Sequence, residues 1–137
     1  MINPISITDQ YILQPGLLDK HKNTLEWLSA SVLWKRELMF FQKLLDQYAP
    51  RFSSADDKKK LDHFQNLLIY YRGEVVDTLN HKLRQHEKQL ADMLETHDET
   101  KTEYFTEHDL LMGEMGSFNT HFAEYKAALF TFIEPVM

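Results

Sequence analysis

The sequence predicts an all-α protein, a long antiparallel three-helix up-down-up bundle, and three observations predict it. Glycine and proline are scarce, four of each in 137 residues, so reversals are few and elements are long. Apolar residues recur at steps of three and four along three extended stretches. Strong interruptions fall only after Gln14, near Pro50 and near Thr100.

The first helix is predicted over 17–48, between Pro15-Gly16 and Pro50. Trp27, Trp34, Leu38, Phe41, Leu45 and Tyr48 follow the helical pitch, and Leu33, Phe40 and Leu44 widen the apolar face. Leu25, Leu28, Val32 and Met39 occupy a second side. One neighbouring hairpin arm covers one stripe of a helix, so a two-sided apolar helix implies a further contact, and a partner chain is one way to supply it.

The second helix is predicted over 56–97, with the Ser54 hydroxyl capping the free amide near Asp57. Its inner side carries Leu61, Phe64, Leu68, Tyr71, Val75, Leu79, Leu83, His86, Leu90, Met93 and His97. At about 1.5 Å per residue an unbroken helix of this length spans about 63 Å, with Gly73 its one interior weak point. The third helix is predicted over 103–134, opened by a Thr100/Glu103 capping box and ended near Pro135. Tyr104, His108, Leu111, Met115, Phe118, Phe122, Tyr125, Leu129, Phe132 and Val136 form the cleanest seam in the chain. Gly113, Gly116 and Ser117 leave open a break near 113–117 that would give a short fourth helix. Short connections make the three segments antiparallel neighbours in one helical domain over 1–137.

Charge and composition narrow the function. The formal net charge is -6, and it is uneven: residues 1–91 carry thirteen basic and eleven acidic side chains, residues 92–137 two and ten. That balance speaks against a broad nucleic-acid surface, and Asp57-Lys58-Lys59-Lys60 reads as a solvated helix start. With no cysteine there is no disulfide, thiolate nucleophile or sulfur-ligated metal. The first residues lack a basic stretch followed by an apolar run, and no segment of about 20 apolar residues is present to span a bilayer. The expectation is a cytoplasmic protein without membrane or nucleic-acid partners.

Metal chemistry is the sharper alternative. Glu37 sits amid Trp34, Leu38, Phe40, Phe41 and Leu44, where a buried carboxylate needs hydrogen bonds, a cation or a metal, although it lies nearer residue 67 than the candidate metal layer around His81. His63, Tyr70, Glu74 and His81 form a polar band on the second helix, and Glu107, Glu114 and His121 form another on the third. With reversals centred near 52 and 100, Asn23, Glu26, His81 and His121 share a cross-section, and Glu74 and Glu114 approach from adjacent layers. Carboxylate and imidazole donors in a helical bundle suit Fe, Mn or Zn. The Glu-x-x-His pairs of di-iron carboxylate bundles are missing: Glu95-Thr96-His97 has one intervening residue, and His121-Phe122-Ala123-Glu124 reverses the order.

Other chemistry finds little footing. No nucleophile elbow or ordered Ser/His/Asp arrangement is visible, and Gly113-Glu114-Met115-Gly116 lacks the phosphate-loop pattern. His86 and His108 enter apolar seams, where burial of the neutral form makes protonation destabilising. The sequence therefore reads as a non-catalytic protein-interaction or scaffold bundle, partnered by a second copy of itself or by another protein and requiring no cofactor. The alternative is a transition-metal-binding bundle with oxidoreductase activity, using Glu26, His81, His121, Glu74 and Glu114.

Overall fold

The computed structural model describes residues 15–137. Three long helices run up, down and up, with no strand among the described residues. Helix α1 spans Pro15–Tyr48 and passes directly into a 3-10 turn at Ala49–Arg51. Proline is tolerated at the first helical positions, where its missing N–H would have had no intrahelical acceptor, so Pro15 opens α1 and Pro50 sits inside the 3-10 turn.

Helix α2 runs from Ala55 to Glu95 in three continuous pieces: an α segment Ala55–Tyr70, a π segment Tyr71–Val76 and an α segment Asp77–Glu95. Ser54 caps it, its hydroxyl accepting the Asp57 amide at 3.1 Å. The π segment contains Gly73 and inserts one residue into the helical repeat. Its effect is a change of register: Val76 is buried at 1% exposure, whereas the regular spacing predicts Val75. After that insertion the seam resumes with Leu79, Leu83, His86, Leu90 and Met93.

Helix α3 spans Thr102–Ile133 without a break, so Gly113, Gly116 and Ser117 do not create a fourth helix. Its start also differs from the expected capping box. Lys101 occupies the N-cap without a side-chain bond, while Thr100 uses its own amide and hydroxyl on the Asp98 carboxylate, at 3.0 and 2.8 Å. The short aspartate turn wins because it closes locally, before the helix begins.

Two hydrophobic clusters fill the bundle. The larger runs from Trp34, Leu38 and Phe41 through Phe64 and Leu68 to Phe118, Phe122, Tyr125 and Leu129. The smaller gathers Leu17, Leu90, Met93, Leu94 and Tyr104 at the end where α1 begins and α2 ends. Phe52 stacks on Phe132 at the opposite end, with ring centroids 4.3 Å apart. No helix of the described residues is long and apolar enough to cross a membrane.

Candidate functional site

Cross-helix pairs fix the register that a hypothetical site depends on. Between α1 and α2, Lys35 Nζ meets Asp77 at 2.7 Å, Asn80 donates to the Ser31 hydroxyl at 2.8 Å, and His21 meets Glu87 at 3.0 Å. Between α2 and α3, Lys82 meets Glu114 at 3.0 Å and His86 meets His108. The turns are thus displaced from the positions the sequence suggests: residue 81 lies level with about residue 30 on α1 and about residue 114 on α3, at about 1.5 Å of rise per residue. The 3-10 turn prolongs α1, and the Ser31/Asn80 and Lys35/Asp77 pairs centre the first reversal beyond Phe52, while α2 ends at Glu95 and draws the second one earlier.

This register separates the metal candidates. Glu26, His81, His121, Glu74 and Glu114 are all exposed. Glu26 lies on α1 several residues from the level of His81, and His121 lies about two turns along α3 from it. Glu74, Glu114 and His121 do line one groove between α2 and α3, and His81 and Glu114 line its continuation. Glu114 is taken up by Lys82. Among the described residues no group of three or more His, Asp or Glu side chains is placed to hold a metal ion. Glu37 is satisfied by an ion pair, its carboxylate 3.1 Å from Lys126 Nζ, and that ammonium also lies over the Phe122 ring.

The groove itself measures about 680 Å³. Its floor is apolar, made by Leu67, Tyr71, Val75, Leu79 and Phe118, and it lies alongside the π segment of α2. Gly113 leaves space on the α3 wall, since a Cβ there would meet nothing within 4 Å. Leu110, 66% exposed, borders the groove and both of its extensions towards Thr102. Acidic side chains rim it: Glu74 and Glu114 in the main section, Glu103 and Glu107 beyond.

A buried polar layer lies deeper, between the two hydrophobic clusters. His86 and His108 are fully buried, and His21, Thr24 and Tyr104 join them. The sequence places His86 and His108 in the seams but gives no sign that they touch. His86 Nδ1 lies 2.6 Å from Glu107 Oε1, and His86 Nε2 lies 3.0 Å from His108 Nδ1. A carboxylate only accepts, so His86 Nδ1 carries the proton. Neutral His86 then accepts at Nε2, and His108 Nδ1 must donate. The chain of donors ends at His108 Nε2, a bare lone pair that is buried without a partner among the described residues. The ring of Tyr104 stacks on His86 at 4.1 Å and Trp27 stacks on His108 at 4.8 Å.

Electrostatics follow from that enclosure. Burial lowers the pKa of His108 to about 4, and neighbouring His86 adds to the shift. Burial also lowers His86, against the opposing pull of the Glu107 carboxylate. Tyr104 and Tyr125 are both raised by burial, which keeps the phenols neutral. Tyr125 donates to the Phe64 carbonyl at 3.0 Å, whereas the buried Tyr104 hydroxyl has only Thr24 beside it and makes no well-aligned hydrogen bond.

The third feature is an apolar ribbon on the outer side of α1. Val32, Leu33, Met39 and Phe40 are 53, 57, 48 and 59% exposed. At about 100° per residue Val32 and Met39 lie on one flank and Leu33 and Phe40 on the other, each roughly a third of a turn from the line of Trp34, Leu38, Phe41 and Leu45 that enters the core, with exposed Arg36 and Lys43 between them. Of the second side expected from the sequence, Leu28 packs against the core, and Val32 and Met39 remain outside. Comparison with protein-family models, curated proteins and solved structures finds no match, so the functional reading rests on the geometry of the chain itself.

Proposed function

We propose that this chain is a non-catalytic interaction bundle that works by self-association. The observation that carries this reading is the α1 ribbon: four large apolar side chains, each about half exposed, on the face turned away from the bundle's own core. Isolated exposed apolar residues are ordinary, but here two rows repeat at the i, i+7 spacing that helix-to-helix anchors use, Val32 with Met39 and Leu33 with Phe40, on either side of Arg36. Charged groups between the helices support the same reading, because they are spent on structure. Glu37 neutralises Lys126, Glu114 holds Lys82, and Glu107 orients His86.

Light scattering of the purified chain across a wide concentration range tests the reading. The average mass should rise with concentration, and L33E/F40E should hold it at that of one chain. A constant monomer mass for the parent chain at every concentration rejects it.

A further inference from the structure

We infer that self-association, on which this inference rests, runs head to tail: the α1 ribbon of one copy seats in the α2/α3 groove of the next. Shape is the first argument. The ribbon from Val32 to Lys43 is about 17 Å long at about 1.5 Å per residue, and the α3 wall from Glu103 to His121 runs about 27 Å, so the groove accommodates the whole ribbon. An amphipathic helix laid in an apolar groove is a common recognition mode, with anchors at the helical repeat that Leu33 and Phe40 follow. Gly113 leaves the wall open for a bulky anchor.

Charge is the second argument, and it selects a copy of this chain as the occupant. The exposed residues over 32–43 include Lys35, Arg36 and Lys43 and no acid. Lys35 is held by Asp77, but among the described residues neither Arg36 nor Lys43 has an ion-pair partner. The groove and its extensions carry Glu74, Glu103, Glu107 and Glu114 against one cation, Lys82. A basic ribbon and an acidic groove attract, whereas ribbon on ribbon would set cations against cations.

Symmetry then follows from where the two surfaces lie. The ribbon faces outward from α1, and the groove lies between the other two helices, on the far side of the core. Two copies cannot fill both grooves at once with one two-fold contact, so the contact is heterologous and builds rings or open chains.

Complementation between two single-surface variants tests this pairing. L33E/F40E removes the ribbon and keeps the groove, while L110K removes the groove and keeps the ribbon. G113W, which fills the groove from an open position, serves as a second groove variant if L110K loses helicity by circular dichroism. Each variant alone should be monomeric in light scattering, and an equimolar mixture should form a dimer of one copy of each and nothing larger. Groove variants that self-associate like the parent overturn the pairing in favour of ribbon on ribbon. A mixture that stays monomeric also overturns it. A parent chain that never self-associates rejects the underlying reading instead.

Discussion

His86 Nε2 and His108 Nδ1 lie 3.0 Å apart in the sealed layer between two hydrophobic clusters, joined by a hydrogen bond that both neutral rings can make in one protonation pattern only. A second proton on either ring would place a cation where water cannot reach it, so the pair ties folding to pH. Histidine in the unfolded chain titrates near 6.5. In the folded chain His108 is held down to about 4 and His86 is lowered as well. Above about pH 6.5 neither state binds the extra protons, and the stabilisation is complete. Below it the unfolded chain takes up protons that the folded chain refuses, so stability falls through the window from about 6.5 to about 4, by up to about 1.4 kcal/mol per pH unit for each histidine. Urea unfolding between pH 7 and 5.5 should show this slope, and H108Q should reduce it by about one proton. Stability that is flat across this window contradicts the pair's role.

The two buried phenols should respond in opposite directions to loss of the hydroxyl. Tyr125 donates to the Phe64 carbonyl, so Y125F leaves a buried carbonyl with one partner fewer and should cost about 1 kcal/mol. The hydroxyl of Tyr104 is buried beside Thr24 without a well-aligned hydrogen bond, while its ring stacks on His86. Y104F keeps the stack and removes the poorly paired group, so it should be neutral or stabilising by up to about 1 kcal/mol. Thermal or urea unfolding of the two variants checks the contrast; equal losses would mean that the Tyr104 hydroxyl is satisfied.

At the end of α2, His97 adopts φ 59°, in the left-handed region. Its amide reaches the Leu94 carbonyl at 3.2 Å, and the Asp98 amide reaches Met93 at 2.9 Å, which together make a Schellman cap. A histidine there pays the Cβ penalty that glycine avoids. H97G should therefore stabilise the bundle by about 1 kcal/mol. An unchanged or lowered melting temperature would show that the imidazole contributes more than its backbone costs.

The buried stripe of each helix was largely legible in the sequence, whereas the α3 cap, the π insertion in α2 and the relations between helices were not. Trp34, Leu38, Phe41 and Leu45 on α1, and Tyr104 through Leu129 on α3, are buried as the three-and-four spacing predicts. Ser54 caps α2 as expected. The candidate layer of Glu26, His81 and His121 depended on where each turn is centred, and a displacement of a few residues moves a side chain by about a turn or more of helix, at about 1.5 Å per residue. The same uncertainty concealed the contact of Glu107 with His86, since periodicity places Glu107 only on a polar band. His21 carried no signal of burial, because a histidine beside charged neighbours reads as surface.

The π segment is where the backbone departs from the pattern in the interior of a helix, and it supports a test of that register. Between Tyr71 and Val76 the inner side advances five residues where the α repeat advances three or four, so one residue is surplus to the helix. Deleting exposed Gly73 should convert the segment to regular α-helix and leave both halves of the seam facing the core, with Val76 taking the place that Val75 occupies in the periodic reading. Deleting exposed Lys82, in a regular stretch, would rotate everything beyond it by about 100° and turn His86, Leu90 and Met93 out of the core. Circular dichroism melts of the two deletions should separate them clearly, with the Gly73 deletion keeping a cooperative transition and the Lys82 deletion losing it. Equal damage from both would show that the inserted residue is required to match α2 to its neighbours along its length.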